Sequence, residues 1–258
     1  MAHLALPAFQ AVQELAVGSL FCLSLLHSPM IRRSFLQTCA LTLVSVFGVE
    51  IWIGPTPASM IFFILLLFYT GSLWIPDGRW PRRMLWLSLL VGAGEISILP
   101  LLLTKELPTL PEIAAQIVTT LASALLLGSA LIGMLLGHHY LRDPKLPVAL
   151  IRRLAILFIL STALQGLLLL VTLGSLYLFG GADAVARIEL LSTSYLAVFL
   201  GRVVVGILGS FVVACVIWDT LRIPNVQSAT GFFYIAIVTG AIGEFLGRFL
   251  WYSTLIPL

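Results

Sequence analysis

The sequence predicts an all-α integral membrane protein, an eight-transmembrane-helix bundle with both termini outside (N-out/C-out). Three observations carry that expectation. Of 258 residues, 60% are apolar and only 10% charged, with a mean hydropathy of +1.11, outside the usual range of soluble globular domains. Apolar windows long enough to cross the hydrocarbon core, about 20 residues each, recur eight times. Lysine and arginine crowd every second connection between those windows.

The first window, about 9–27, carries Glu14 and closes at the Pro-containing break HSP. No Lys or Arg precedes it and no small-residue cleavage site follows, so it is expected to stay as a span rather than leave as a signal peptide. The second, about 35–53, ends near Glu50, and GPTPAS joins it to the third, about 57–75. After WIPDG and a basic stretch comes the fourth, about 84–103, with Glu95 near its middle. TLPE (Thr109 to Glu112) has capping-box spacing and introduces the fifth, about 114–137, which leads into GHHYL. The sixth, about 150–179, is the longest and has length to tilt or project beyond the bilayer; GGADAVARIELLSTS after it reads as a short surface helix. The seventh, about 194–218, holds Arg202, and RIPN separates it from the eighth, about 229–251, which holds Glu244 and Arg248. Residues 1–258 read as a single polytopic membrane domain, without a repeat, low-complexity tract or soluble domain.

The connections after windows one, three, five and seven hold ten Lys and Arg, against two in the alternate connections. Basic loops stay on the cytoplasmic side, which puts both termini outside and the protein in the cytoplasmic (inner) membrane of the cell, its partner the lipid bilayer. Nothing points to nucleic acid.

Under this topology Glu14, Glu50, Glu95, Arg202, Glu244 and Arg248 all fall inside helices and favour the outer leaflet. Ionisable groups inside a bilayer are costly, face the bundle interior and by default mark a site or pathway. An ion-pair network that locks helices together is the plainer reading. Four carboxylates against two arginines, however, leave acids that pairing does not need. The inner half offers little for a transmembrane path beyond Gln165, some Ser and Thr, and histidines at the rim.

Those histidines, His27, His138 and His139, end the first and fifth windows on the cytoplasmic side. A haem b bridged by His27 and His138 or His139 is sterically feasible, although a solvated helix end is the commoner outcome. Cys22, Cys39 and Cys215 are dispersed in different windows without CxxC spacing, so no iron–sulfur cluster or other metal is expected on this chain. Walker, HExxH, GxSxG and DDxxD motifs are absent from the sequence.

The stretch GAIGEFLGRFLWY, Gly240 to Tyr252, concentrates the unusual features. Glu244 and Arg248 are spaced i,i+4 and can pair within the helix. Gly243 and Gly247 form a GxxxG that lets another helix come close, and Trp251 with Tyr252 is expected to anchor the outer interface. The pattern GEFLGRFLWY closing an outward-ending eighth helix resembles the end of the membrane anchor subunits of dimethyl-sulfoxide-reductase-type molybdoenzymes, the DmsC branch of the NrfD/PsrC-like proteins. The resemblance implies a subunit that binds exchangeable quinone or quinol within the bundle and passes electrons to or from an iron–sulfur subunit on the outer face, itself attached to a catalytic subunit. By motif it carries over Glu244 and Arg248; Glu14, Glu50, Glu95 and Arg202 join them from topology as quinone-binding or proton-handling candidates. Members of that family usually also place a His near the outer side, and none of the eight windows is expected to carry one there. Two other readings stand beside it: a small-solute or proton/cation transporter that uses the same carboxylates, and a structural accessory subunit of a respiratory or photosynthetic complex.

Overall fold

A computed structural model of the chain describes residues 2–26, 31–75, 79–102 and 109–258. The fold is all-helical, with 89% of residues in helices and no strand among those described. In order, the helices are α1 Ala2–Leu25, α2 Arg33–Ile53, α3 Pro57–Ser72, α4 Arg79–Leu102, α5 Leu110–Arg142, α6 Ala149–Phe179, α7 Ala182–Thr193, α8 Leu196–Arg222 and α9 Val226–Thr254. All but α3 and α7 are long and apolar enough to cross a bilayer. The sixteen residues of α3 are apolar but fewer, and at 1.5 Å per residue reach only about 24 Å.

Local chemistry sets the helix starts. Thr56 and Ser59 exchange backbone N–H and hydroxyl bonds at 2.9 and 3.1 Å, a reciprocal cap that opens α3 with Pro57 next in line. At α5, the Glu112 carboxylate accepts from the Thr109 N–H at 2.7 Å, the reach-back that TLPE suggests. Asn225 caps α9 by accepting from the Ser228 N–H at 3.1 Å. The expected surface helix is α7, which is tied to α5 by an Arg187–Glu112 ion pair of 2.7 Å. The longest helix is α5, at 33 residues, rather than α6, at 31.

The reason α5 is long and largely buried is its place at the centre, packed against α1, α6 and α9. Small residues permit this. A Cβ added at Gly128 would strike the backbone of Gly18, and one at Gly18 would strike the backbone of Ala124. Without a hydrophobic drive between helices in lipid, such backbone approach is the main source of packing attraction. Leu20, Leu23, Leu126, Phe158 and Phe233 fill the space around it and are fully buried. The outer surface is the reverse of a soluble protein's: Trp52, Phe179 and Leu90 are 86%, 86% and 68% exposed. Such a surface needs a bilayer, and the chain is a helical, multi-pass membrane protein.

Two irregularities shape the region of interest. Residues Arg202–Gly209 of α8 form π-helical turns, which widen the helix and often occur at functional sites. There Gly206 meets α9, where its added Cβ would lie 2.6 Å from the Gly243 Cα. After α9 the chain turns at Leu255, whose φ of 57° is left-handed, and folds back so that Ile256 and Leu258 are buried.

Candidate functional site

Helices α1, α5, α6, α8 and α9 each contribute a polar side chain to one buried cluster. Glu14 on α1 stands 2.8 Å from the Arg248 Nε on α9. Arg202, from the first π turn of α8, donates to Glu244 on α9 at 3.0 Å and to the Gln165 Oε1 on α6 at 3.3 Å. The Gln165 amide donates in turn to Glu244 at 2.6 Å. Ser123 of α5 receives hydrogen bonds from Arg248 at 2.8 Å and from Gln165 at 3.3 Å. Arg202 also reaches the Leu258 carbonyl at 3.3 Å, so the folded-back tail closes the cluster on that side. All four charged side chains are at most 1% exposed. Two acids face two arginines, and the cluster is neutral when all four are charged.

A second group lies beside it, between α1, α2 and α4. Gln13 donates to Glu50 at 2.7 Å and to Glu95 at 3.4 Å. Among the described residues neither acid has a cation within ion-pair distance. Among the described residues Glu50 Oε2 is buried without a hydrogen-bond partner, and Glu50, Gln13, Gln10, Thr56 and Tyr252 line a cavity of about 30 Å³. That is room for a single water-sized guest beside polar partners. Gln10 joins the two groups, for it donates to Glu14 at 2.9 Å and accepts from the Tyr252 hydroxyl at 3.0 Å. The chain of contacts therefore runs from Arg202 through Glu244, Arg248, Glu14 and Gln10 to the cavity, then through Gln13 to Glu50 and Glu95.

All six ionisable residues singled out in the sequence thus lie in two adjoining groups, with three changes to the expected detail. Within α9, Glu244 and Arg248 are 3.9 Å apart; the short pairings cross to α8 and α1, because the wide π turn and the glycines bring the neighbouring guanidinium nearer than the one a turn away. Gln165, assigned from sequence to the inner half, is part of the cluster, since it sits midway along a 31-residue helix. Trp251 is not an interfacial anchor: it is fully buried, because it shares the inward face of α9 with Glu244 and Arg248 at i, i+4, i+7 spacing. The GxxxG expectation does match the packing, with Gly243 against Gly206 and Gly247 against Arg202 and Leu258.

Sequence reasoning overlooked Gln10, Gln13 and Ser123. The two glutamines were findable, for Gln10, Gln13 and Glu14 follow i, i+3, i+4 spacing and form one polar stripe on an otherwise apolar helix. At the other end of the bundle, His138 is exposed and its Nε2 lies 2.8 Å from the Tyr234 hydroxyl. His139 packs its ring 5.1 Å from that of Phe35. His27 lies outside the described residues. Cys22 and Cys39 are buried and Cys215 is exposed, all as free thiols on three different helices.

Near the buried cluster, α6, α7 and α8 enclose an apolar cleft of about 250 Å³, lined by Leu173, Tyr177, Leu191, Leu196 and Phe199 among others. Phe199 precedes Arg202 by three residues on α8 and so shares its face of the helix. In comparisons with protein-family models, curated proteins and solved structures, the chain matched none.

Proposed function

We propose that the chain is a quinone- or quinol-interacting membrane subunit of a multisubunit oxidoreductase, in the manner of the DmsC-type anchors that GEFLGRFLWY resembles. The observation that carries this reading is the run of polar contacts from Arg202 to Glu95, bridged between Gln10 and Gln13 by the water-sized cavity, whose arginine end is charge-balanced and whose acid end is not. Two-electron quinone chemistry needs a place to hold the ring and groups to take or give two protons. The α6–α7–α8 cleft offers an apolar berth within a turn of Arg202. Glu50, on a cavity that fits one water, and Glu95, joined to it through Gln13, are suited to proton exchange because no arginine claims them. Electrons would pass to or from an iron–sulfur subunit on the outer face, with a catalytic subunit beyond it. The haem alternative at His27, His138 and His139 has less support, since Tyr234 and Phe35 already engage the latter two.

The reading includes a topology of eight spans, with α3 and α8 each counted as one and α7 on the surface, both termini outward in the cytoplasmic membrane. The ten-to-two division of Lys and Arg supports it.

A transporter of protons or a small cation is the second reading, favoured by Glu50 Oε2 at the cavity wall, which has no hydrogen-bond partner among the described residues. Purification of the chain from its native membrane, followed by quinol oxidation in the purified fraction, distinguishes the two. Co-purifying iron–sulfur protein with quinol turnover supports the anchor. A solitary chain that moves protons or cations in proteoliposomes and does not react with quinol overturns it.

A further inference from the structure

The end of the bundle opposite the acid cluster carries a second feature, independent of the functional reading above. The first three turns of α4 place Arg79, Arg82, Arg83, Trp86, Leu87 and Leu90 around a cleft of about 530 Å³. Along the helix the order is guanidinium, then indole, then aliphatic side chain. All six are exposed, and among the described residues no acid pairs with Arg82 or Arg83. On the other side of Leu87 lies a second cleft, of about 570 Å³, between α3 and α4. Its walls are apolar, including Phe68, Trp80 and Met84, and Gly71 leaves open space where a side chain would otherwise project. Leu87 borders both clefts.

We propose that these paired clefts form a binding site for one anionic phospholipid of the leaflet at that end. Guanidinium groups bind phosphate oxygens through paired N–H donors, and an indole suits the boundary between headgroup and acyl chain. The ordering of chemistry along α4 is the ordering within a lipid. One acyl chain follows Leu87 and Leu90, and the other occupies the α3–α4 cleft over Gly71. Charge complementarity selects the occupant: a zwitterionic lipid carries a cation that the arginines would repel, and an apolar protein segment would leave Arg82 and Arg83 unanswered. Clusters of basic side chains at the membrane boundary of a helix attract anionic headgroups in general terms.

Native mass spectrometry of the full chain, released from detergent with added phosphatidylglycerol or phosphatidylcholine, tests this. One phosphatidylglycerol should be retained with about tenfold preference, and R82Q/R83Q should abolish the preference. Gly71→Phe, which fills the apolar cleft without touching charge, should also reduce retention. Arg222→Gln, at the same end but exposed and beside Asp219, should change nothing. The proposal is overturned if R82Q/R83Q retains the lipid as before, or if Arg222→Gln reduces retention equally, which would mean diffuse charge rather than a site. It is also overturned if Gly71→Phe leaves retention unchanged or if inorganic phosphate displaces the lipid completely, since either would mean that the acyl clefts contribute nothing.

Discussion

Arg248 lies 2.8 Å from Glu14 across the α1–α9 interface, closer than the 3.9 Å that separates it from Glu244 on its own helix. Charges one turn apart in α9 are therefore each satisfied mainly from elsewhere, Arg248 by α1 and Glu244 by α8. A pair of opposite charges within one membrane helix here serves to tie three helices together.

The pairing dictates which double substitution rescues which single one. Glu244→Gln leaves two buried arginines with one acid, and breaking such a buried pair costs about 3–5 kcal/mol. Its thermal stability in detergent should fall sharply. Adding Arg202→Met removes the stranded partner and should recover most of the loss, whereas adding Arg248→Met strands Glu14 instead and should not. Equal rescue by both would contradict the pairing.

Gln165 joins Arg202 and Glu244 through three contacts at 2.6, 3.3 and 3.3 Å with Ser123 included. Gln165→Leu leaves charged groups short of partners in a dry site and should cost about 1–3 kcal/mol. Gln165→Glu should be worse than Leu if the cluster is charge-balanced, for it adds a third acid to two arginines. Thermal denaturation of both variants, compared with the parent chain, measures the difference.

Close approach of α8 and α9 rests on Gly206 and Gly243. Gly206→Ala brings a methyl against backbone rather than a movable side chain, and overpacking of this kind typically costs about 1–3 kcal/mol. Gly71→Ala, where nothing lies within 4 Å of the added carbon, is the matched control and should be close to neutral. Melting temperatures of the two variants provide the check.

Much of this architecture was readable in the residues, and the unreadable part has physical reasons. Length of apolar run and Pro-containing breaks determine where helices begin and end, so the windows fall on the observed helices, with α1, α4, α5, α8 and α9 extending further at one or both ends and α3 stopping short at Ser72. Glu14, Glu50, Glu95, Arg202, Glu244 and Arg248 stood out because lipid tolerates none of them alone. Which of them meet did not, since partner choice depends on helix rotation. The π turns at Arg202–Gly209 have no sequence signature to match the capping of Thr56 or Thr109, yet they set the register of Arg202 against Glu244. Trp251 illustrates the same limit: a tryptophan near a helix end suggests the interface, yet it is fully buried on the face of α9 that carries Glu244 and Arg248.

The proposed topology places the acid cluster toward the outside. With the native Cys22, Cys39 and Cys215 replaced by alanine, a single thiol in place of Thr193, at the exposed end of α7, should react with an impermeant maleimide added to intact cells. A thiol in place of Lys145 should react only after permeabilisation. The opposite pattern would reverse the orientation and place the cluster on the cytoplasmic side.

The division between charge-balanced and unbalanced groups is the centre of the account, and Glu50 with Glu95 tests it most directly. In the protein purified with its native partners, E50Q/E95Q removes two acids that hold no arginine, so assembly and thermal stability should remain near those of the parent while quinol turnover falls at least about tenfold, in keeping with loss of a positioned proton-transfer group. Turnover unchanged, with the complex intact, would mean that these acids serve no proton chemistry and that the polar chain is structural from end to end.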